Sequence, residues 1–98
     1  MKQEVEHLFT HLESSGCQFN RNGSWYSATE ATAHIRKKYE YLLSRNQLKT
    51  TESFIEKAAT KSSISGKPYE VKCEGQSVVL NSVWFSKELN DYRKIKNH

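Results

Sequence analysis

A nucleophile, a base and an acid that orients it are present here as residue types: Ser63 or Ser65, His34 and Glu52. Together they would make a minor hydrolase. Their spacing matches no such arrangement, since neither Ser-x-x-Lys nor Gly-x-Ser-x-Gly occurs, and serines in a turn-rich run such as Ser62-Ser-Ile-Ser-Gly-Lys-Pro68 ordinarily hydrogen-bond backbone. His7 and His11 have the i, i+4 spacing that chelates a metal from one helix face. Position 8 is Leu8, not the glutamate of HExxH, and paired histidines on a polar face are ordinary. Gly66-Lys67 looks like the end of a phosphate loop, yet the upstream glycine is absent, Pro68 follows, and the loop leaves a helix instead of joining strand to helix. No catalytic residue, cofactor or metal site is assigned. What remains is cationic: His34, Lys38, Tyr41 and Arg45 form a basic, aromatic stripe that can grip a phosphate or an acidic partner, or shield the edge of a core with long side chains.

These residues have to be positioned by short elements. Val5, Leu8, Phe9 and Leu12 make the apolar stripe of a helix over 3–15, with Glu4, His7 and His11 on the other side and Ser14-Ser15-Gly16 as its stop. Asn22-Gly23 tolerates positive φ at both central positions of a type I′ turn. It therefore predicts a hairpin with Arg21 opposite Ser24 and Phe19 opposite Tyr26, placing Cys17, Phe19 and Tyr26 on one face. Ser27-Ala-Thr-Glu30 is a capping box, and it opens a long helix to Arg45-Asn46 with Ala28, Ala31, Ile35, Tyr39 and Leu42 inward.

Thr50 or Thr51 caps a third, short helix with Phe54, Ile55, Ala58 and Ala59 inward, ending at Lys61. Glu74-Gly75 reads as a tight turn that sets Cys73 opposite Gln76, so that Tyr69, Val71, Cys73, Val78 and Leu80 share a face. Asn81 or Ser82 caps a last helix with Phe85, Leu89 and Tyr92 as its stripe and a basic tail, Arg93 to His98, that complements the helix dipole. The expected architecture is one α+β domain over 1–98, in the order helix, hairpin, helix, helix, hairpin, helix. The two hairpins form one small antiparallel sheet packed against about four helices.

With 98 residues and 36% hydrophobic content the core is small, so a crosslink would matter. Cys17 and Cys73 are the two cysteines, and nothing resembles CxxC. Taken alone they are compatible with a disulfide, two buried thiols or half of a metal site. If joined, the closed loop of about 56 residues is worth roughly 4 kcal/mol on the chain-closure model. The net charge of +4 favours anions mildly, far short of a dedicated nucleic-acid binder. No apolar stretch is long enough to span a membrane. Met1-Lys-Gln-Glu-Val-Glu-His enters an amphipathic pattern at once, so the chain is expected to be cytoplasmic if it truly starts there, or periplasmic if a signal peptide has been removed ahead of it.

Three groups of residues then fall together: Ser15-Gly-Cys-Gln-Phe-Asn-Arg-Asn-Gly-Ser-Trp-Tyr26; Ala31 with His34 and Lys38; and Thr51-Glu-Ser-Phe-Ile55 running into Ser62-Ser-Ile-Ser-Gly-Lys-Pro-Tyr69 and Val71-Lys-Cys73. In this order they resemble a family of small exported bacterial proteins catalogued only as a domain of unknown function, over nearly the whole chain. Phe85 departs from the aliphatic residue that the family pattern often has after the tryptophan. The resemblance implies export to the periplasm, and with it a disulfide between Cys17 and Cys73 that would tie one hairpin to the other; it supplies no activity.

The polar residues that carry the resemblance are Arg21, Asn22, His34, Lys38, Glu52, Ser63, Ser65, Gly66 and Tyr69. They are taken as a candidate binding groove, formed if the Arg21 turn and the serine loop meet beside the second helix. The expected function is non-catalytic binding of an envelope protein or an anionic envelope ligand. The alternative is a cytosolic nucleic-acid binder using Lys37, Lys38, Arg45, Arg93, Lys94 and Lys96 on phosphates.

Overall fold

The computed structural model describes residues 1–96. Its elements are α1 (Lys2–Ser14), β1 (Gln18–Arg21), β2 (Ser24–Tyr26), α2 (Ala28–Ser44), α3 (Thr51–Ala58), β3 (Glu70–Lys72), β4 (Val79–Leu80) and α4 (Asn81–Lys96). The order and the α+β class are those expected. The two hairpins merge into one antiparallel sheet, ordered β2-β1-β3-β4.

Local chemistry explains most boundaries. Asn22 and Gly23 both adopt positive φ, 55° and 85°, and close the β1–β2 turn in the expected register, Phe19 opposite Tyr26 and Arg21 opposite Ser24. Ser27 and Glu30 satisfy each other's backbone amides at the start of α2, and Thr50 with Ser53 does the same for α3. β1 pairs with β3, Gln18 opposite Lys72, so the next pair along is Cys17 and Cys73, which form a disulfide. The bond thus fastens the one seam at which the two hairpins meet.

The core is aromatic and central to the helices. Phe54 of α3 meets Phe9 and Tyr39 edge-on, at 5.6 and 5.3 Å between centroids, and lies beside Phe85 of α4. Val5, Leu8 and Leu12 of α1 and Ile35 of α2 complete it, and Phe19 and Val71 cover it from the sheet. Fully burying each of these side chains is worth about 1.5–3 kcal/mol.

Several expectations fail in detail. α2 ends at Ser44 with Arg45-Asn46 as its terminating turn, as expected, but α3 ends at Ala58, short of Lys61. Asn46 turns left-handed at φ 58° after α2, while beyond α3 Lys61 bridges to Pro68 across the serine loop. The β3–β4 register is shifted by one: Val71 faces Val79 and Glu70 faces Leu80, although Gln76 still donates to the Cys73 carbonyl across the Glu74-Gly75 turn. Only Gly75 of that turn pair has positive φ, so the turn is not the type I′ that fixes a two-residue register. Val78, Val79 and Leu80 are all exposed.

Asn81 does not cap α4. It is buried, and its amide donates to the Ala59 carbonyl at 2.7 Å, joining the end of α3 to the start of α4. Finally, the polar side of α1 is not solvated. α4 packs on it, so that His7 and His11 both face Glu88, at 2.6 and 3.6 Å, and His7 stacks on Tyr92. Of the basic tail, Asn97 and His98 lie outside the described residues.

Candidate functional site

The hub is Tyr69. Its ring is buried against Phe19, 5.0 Å between centroids, and its backbone is held from both sides, its N–H donating to Thr60 and its carbonyl accepting from Asn81. The hydroxyl is thereby fixed at the surface of the sheet beside α2. His34 reaches it with Nε2 at 3.1 Å, and Lys38, one turn further along the same helix face, reaches it with Nζ at 3.1 Å. Lys38 also donates to the Lys61 carbonyl at 3.1 Å. From β1, Arg21 brings Nη1 to 3.0 Å from His34 Nδ1 and 3.2 Å from Nε2. Its guanidinium also lies over Tyr26, 5.2 Å from the ring centroid.

Asn22 and Ser65 close the upper edge. The Ser65 hydroxyl donates to Asn22 Oδ1 and accepts from the Lys67 N–H, which draws the serine loop onto the β1–β2 turn. Six of the nine groove residues therefore come together: Arg21, Asn22, His34, Lys38, Ser65 and Tyr69. Ser63 lines a cavity with Lys38, and with Gly66 it lines a neighbouring hollow of about 610 Å³ that also holds Glu56, Lys57 and Lys61. Glu52 is elsewhere. It binds Arg93 on the far side of α1, so it belongs to neither the groove nor a triad with His34. No serine contacts His34: Ser65 is engaged by Asn22, and the ring's partners are Arg21 and Tyr69.

Electrostatically the cluster is one-sided. None of the ion pairs among the described residues includes Arg21, His34 or Lys38. Burial, and then the charges of Arg21, Lys38 and Lys37, hold His34 below the ordinary histidine range. Burial and Arg21 likewise pull Lys38 down, and burial pushes the Tyr69 hydroxyl up.

Two cavities flank the cluster. One of about 190 Å³ is walled by Phe19, Tyr26 and Ala31 with Arg21, His34 and Glu30 at its rim. The other, about 260 Å³, has Tyr41 and Leu42 as floor and Lys37, Lys38 and Lys57 around it. A hollow of about 600 Å³ on the outer side of α4, lined by Val83, Lys87 and Asp91 among others, is larger but gathers side chains from a single helix and has no such convergence. Sequence reasoning missed Lys57, Glu30 and the Lys61 carbonyl. Each arrives by tertiary packing, and no short-range spacing announces it.

The chain belongs to the family described as "Family of unknown function (DUF5329)", which matches residues 1–93. It is 48% identical over 51 residues to "Uncharacterized protein YfeK" of Salmonella typhimurium (strain LT2), a match that takes in 52% of this chain and 41% of that protein. The chain thus spans less than half the length of the curated relative it matches. No solved structure matches it.

Proposed function

We propose that this chain is an exported, non-catalytic binding protein whose Arg21–His34–Lys38–Tyr69 cluster takes the anionic group of an envelope ligand. One observation carries the reading: donors outnumber acceptors where these residues meet. A guanidinium offers five N–H groups and an ammonium three, and neither accepts. Against them stand one imidazole nitrogen, the Tyr69 oxygen and the Lys61 carbonyl, all uncharged. Cations half-withdrawn from water and in no ion pair among the described residues are costly, and an anion is what would offset that cost.

The two cavities give an attached apolar portion somewhere to lie. The Cys17–Cys73 bond supports an oxidising compartment such as the periplasm. No helix among the described residues is long and apolar enough to cross a membrane. The nucleic-acid alternative is less favoured, because Arg93, one of its six cations, is already neutralised by Glu4 and Glu52.

The test is calorimetric titration with inorganic sulfate and phosphate, with glucose as the uncharged control. Binding of the anions that disappears in Arg21→Ala and in Lys38→Ala supports the reading. Absence of binding in the wild type, or binding indifferent to both substitutions, rejects it. Cell fractionation tests the compartment, and protein confined to the cytoplasm with two free thiols would reject export.

A further inference from the structure

Resting on that anion-binding reading, we infer that the site is proton-linked: its occupant is a doubly charged tetrahedral oxyanion, a sulfate or phosphate group, taken up together with a proton that comes to rest on His34. The hydrogen-bond inventory leads there. Arg21 Nη1 lies 3.0 Å from Nδ1 and 3.2 Å from Nε2, a near-equal approach that sets the guanidinium over the face of the imidazole, so its charge opposes protonation of the ring while the site is free. Nε2 meets the Tyr69 hydroxyl, whose oxygen also accepts from Lys38. Protonating His34 in this state places a third cation between Arg21 and Lys38.

An anion seated among the four groups reverses this. It accepts from Arg21, from a now doubly protonated His34, from Lys38 and from the Tyr69 hydroxyl, and it supplies the negative charge that makes imidazolium favourable. The donors arrive from β1, from α2 and from the segment before β3, so they converge from several directions. Oxygens at tetrahedral corners suit that better than the two coplanar oxygens of a carboxylate.

The charged and titratable groups facing His34 are Arg21 from β1, Tyr26 from β2, Lys37, Lys38 and Glu30 on its own helix, and Tyr69. Glu30 is the carboxylate at the cavity rim, and its Oε1 is used by the Ser27 amide at 3.1 Å. The ring is held below the ordinary histidine range in the free protein by burial, Arg21, Lys38 and Lys37. A bound dianion moves it above that range. Between the two values binding takes up a proton, so affinity rises as pH falls through that window.

Inorganic sulfate is the probe, because its own charge is constant across the window. Titrations at about pH 5.5 and about pH 8 should differ by at least about tenfold in Kd, tighter in acid, with the His34 imidazole resonances titrating at higher pH when sulfate is present. His34→Gln should bind more weakly and with the same Kd at both pH values, and Glu30→Gln should keep the wild-type pH dependence. Equal wild-type affinity at the two pH values overturns the proton linkage and leaves the anion site standing. A pH dependence that survives in His34→Gln, or is lost in Glu30→Gln, assigns the proton elsewhere and overturns it too. No sulfate binding at either pH removes both readings.

Discussion

Arg21 and Arg93 have different elements for neighbours, α2 for the one and α1 with α3 for the other, and are treated in opposite ways. Arg93 of α4 is answered in full: Nε and Nη2 reach Glu4 of α1 at 2.7 and 3.0 Å, and Nη1 and Nη2 reach Glu52 of α3 at 2.6 and 3.2 Å. Thr51 adds a hydroxyl to Glu4 at 2.5 Å. Each partner makes the other easier to ionise. The hydrogen bonds from Arg93 and then Thr51 hold the Glu4 carboxyl down at about 2, and those carboxylates push Arg93 up. Around Arg21 the neighbours are His34, Lys38 and Tyr69, and burial and the Arg21 charge make His34 and Lys38 harder to ionise. A residue type alone therefore does not say whether a charge holds the fold together or is held ready by it; its partners do. Arg93 fastens three helices, whereas in the Arg21 cluster His34 and Lys38 are held down, a cost that the anion proposed above would relieve.

The two regions should part first on loss of the crosslink. Cys17→Ser with Cys73→Ser, or reduction of the bond, should cost about 4 kcal/mol in denaturant unfolding. Amide exchange should quicken first in β1 and β3, which carry Arg21 and lead out of Tyr69, while α1 and α4 around Arg93 keep their protection longer. Equal melting with and without reductant would show that the seam is held by the sheet alone.

Next in size is Arg93→Met, which leaves Glu4 and Glu52 facing each other without their shared cation and should cost about 2 kcal/mol at neutral pH. Acid titration gives the sign. Glu4 is held below its ordinary value of 4.5, so its contribution is fully present above that pH and is lost as the pH falls from 4.5 towards about 2. That acid-side loss should be visible in the wild type and flattened in the variant. An unchanged acid limb would mean that the ion pair is not what depresses Glu4.

Gly23→Val disturbs the other side, at about 1.5 kcal/mol, and it also bears on how far the chain could be read unaided. Gly23 has φ 85° and open space where a Cβ would go, so the cost is backbone conformation alone; unchanged melting would reject that account of the turn. This turn was legible because two residues declare it, and the capping box of α2 was legible for the same reason. The β3–β4 register was not, because Glu74-Gly75 constrains one residue only. Arg21, His34, Lys38 and Tyr69, named from the resemblance and from helical spacing, do touch in the fold. Glu52 was misplaced because its partner, Arg93, is 41 residues away on a helix whose docking side no periodicity predicts. The same blindness put His7 and His11 in solvent instead of against Glu88.

The smallest stability effect is the most discriminating. Lys38→Met keeps the apolar stem of a side chain whose ammonium is half-withdrawn beside Arg21, and it removes a cation that nothing negative offsets. Where Arg93→Met destabilises, Lys38→Met should change stability by less than about 1 kcal/mol, in the stabilising direction, because the bonds lost to Tyr69 and the Lys61 carbonyl are set against relief of repulsion and desolvation. The pH profile should follow. His34 is held below 6.5, so the wild type loses stability as pH falls from 6.5 through the depressed value; with Lys38 gone the ring is held down less, so that loss, still beginning at 6.5, should level off at a higher pH and be smaller. Sulfate binding should meanwhile weaken at least about tenfold, since a charge-assisted bond has been removed. A variant that is more stable and binds less would mark Lys38 as a residue kept for its ligand. A variant as destabilised as Arg93→Met, with sulfate binding intact, would place Lys38 among the structural cations and dissolve the contrast between the two sides.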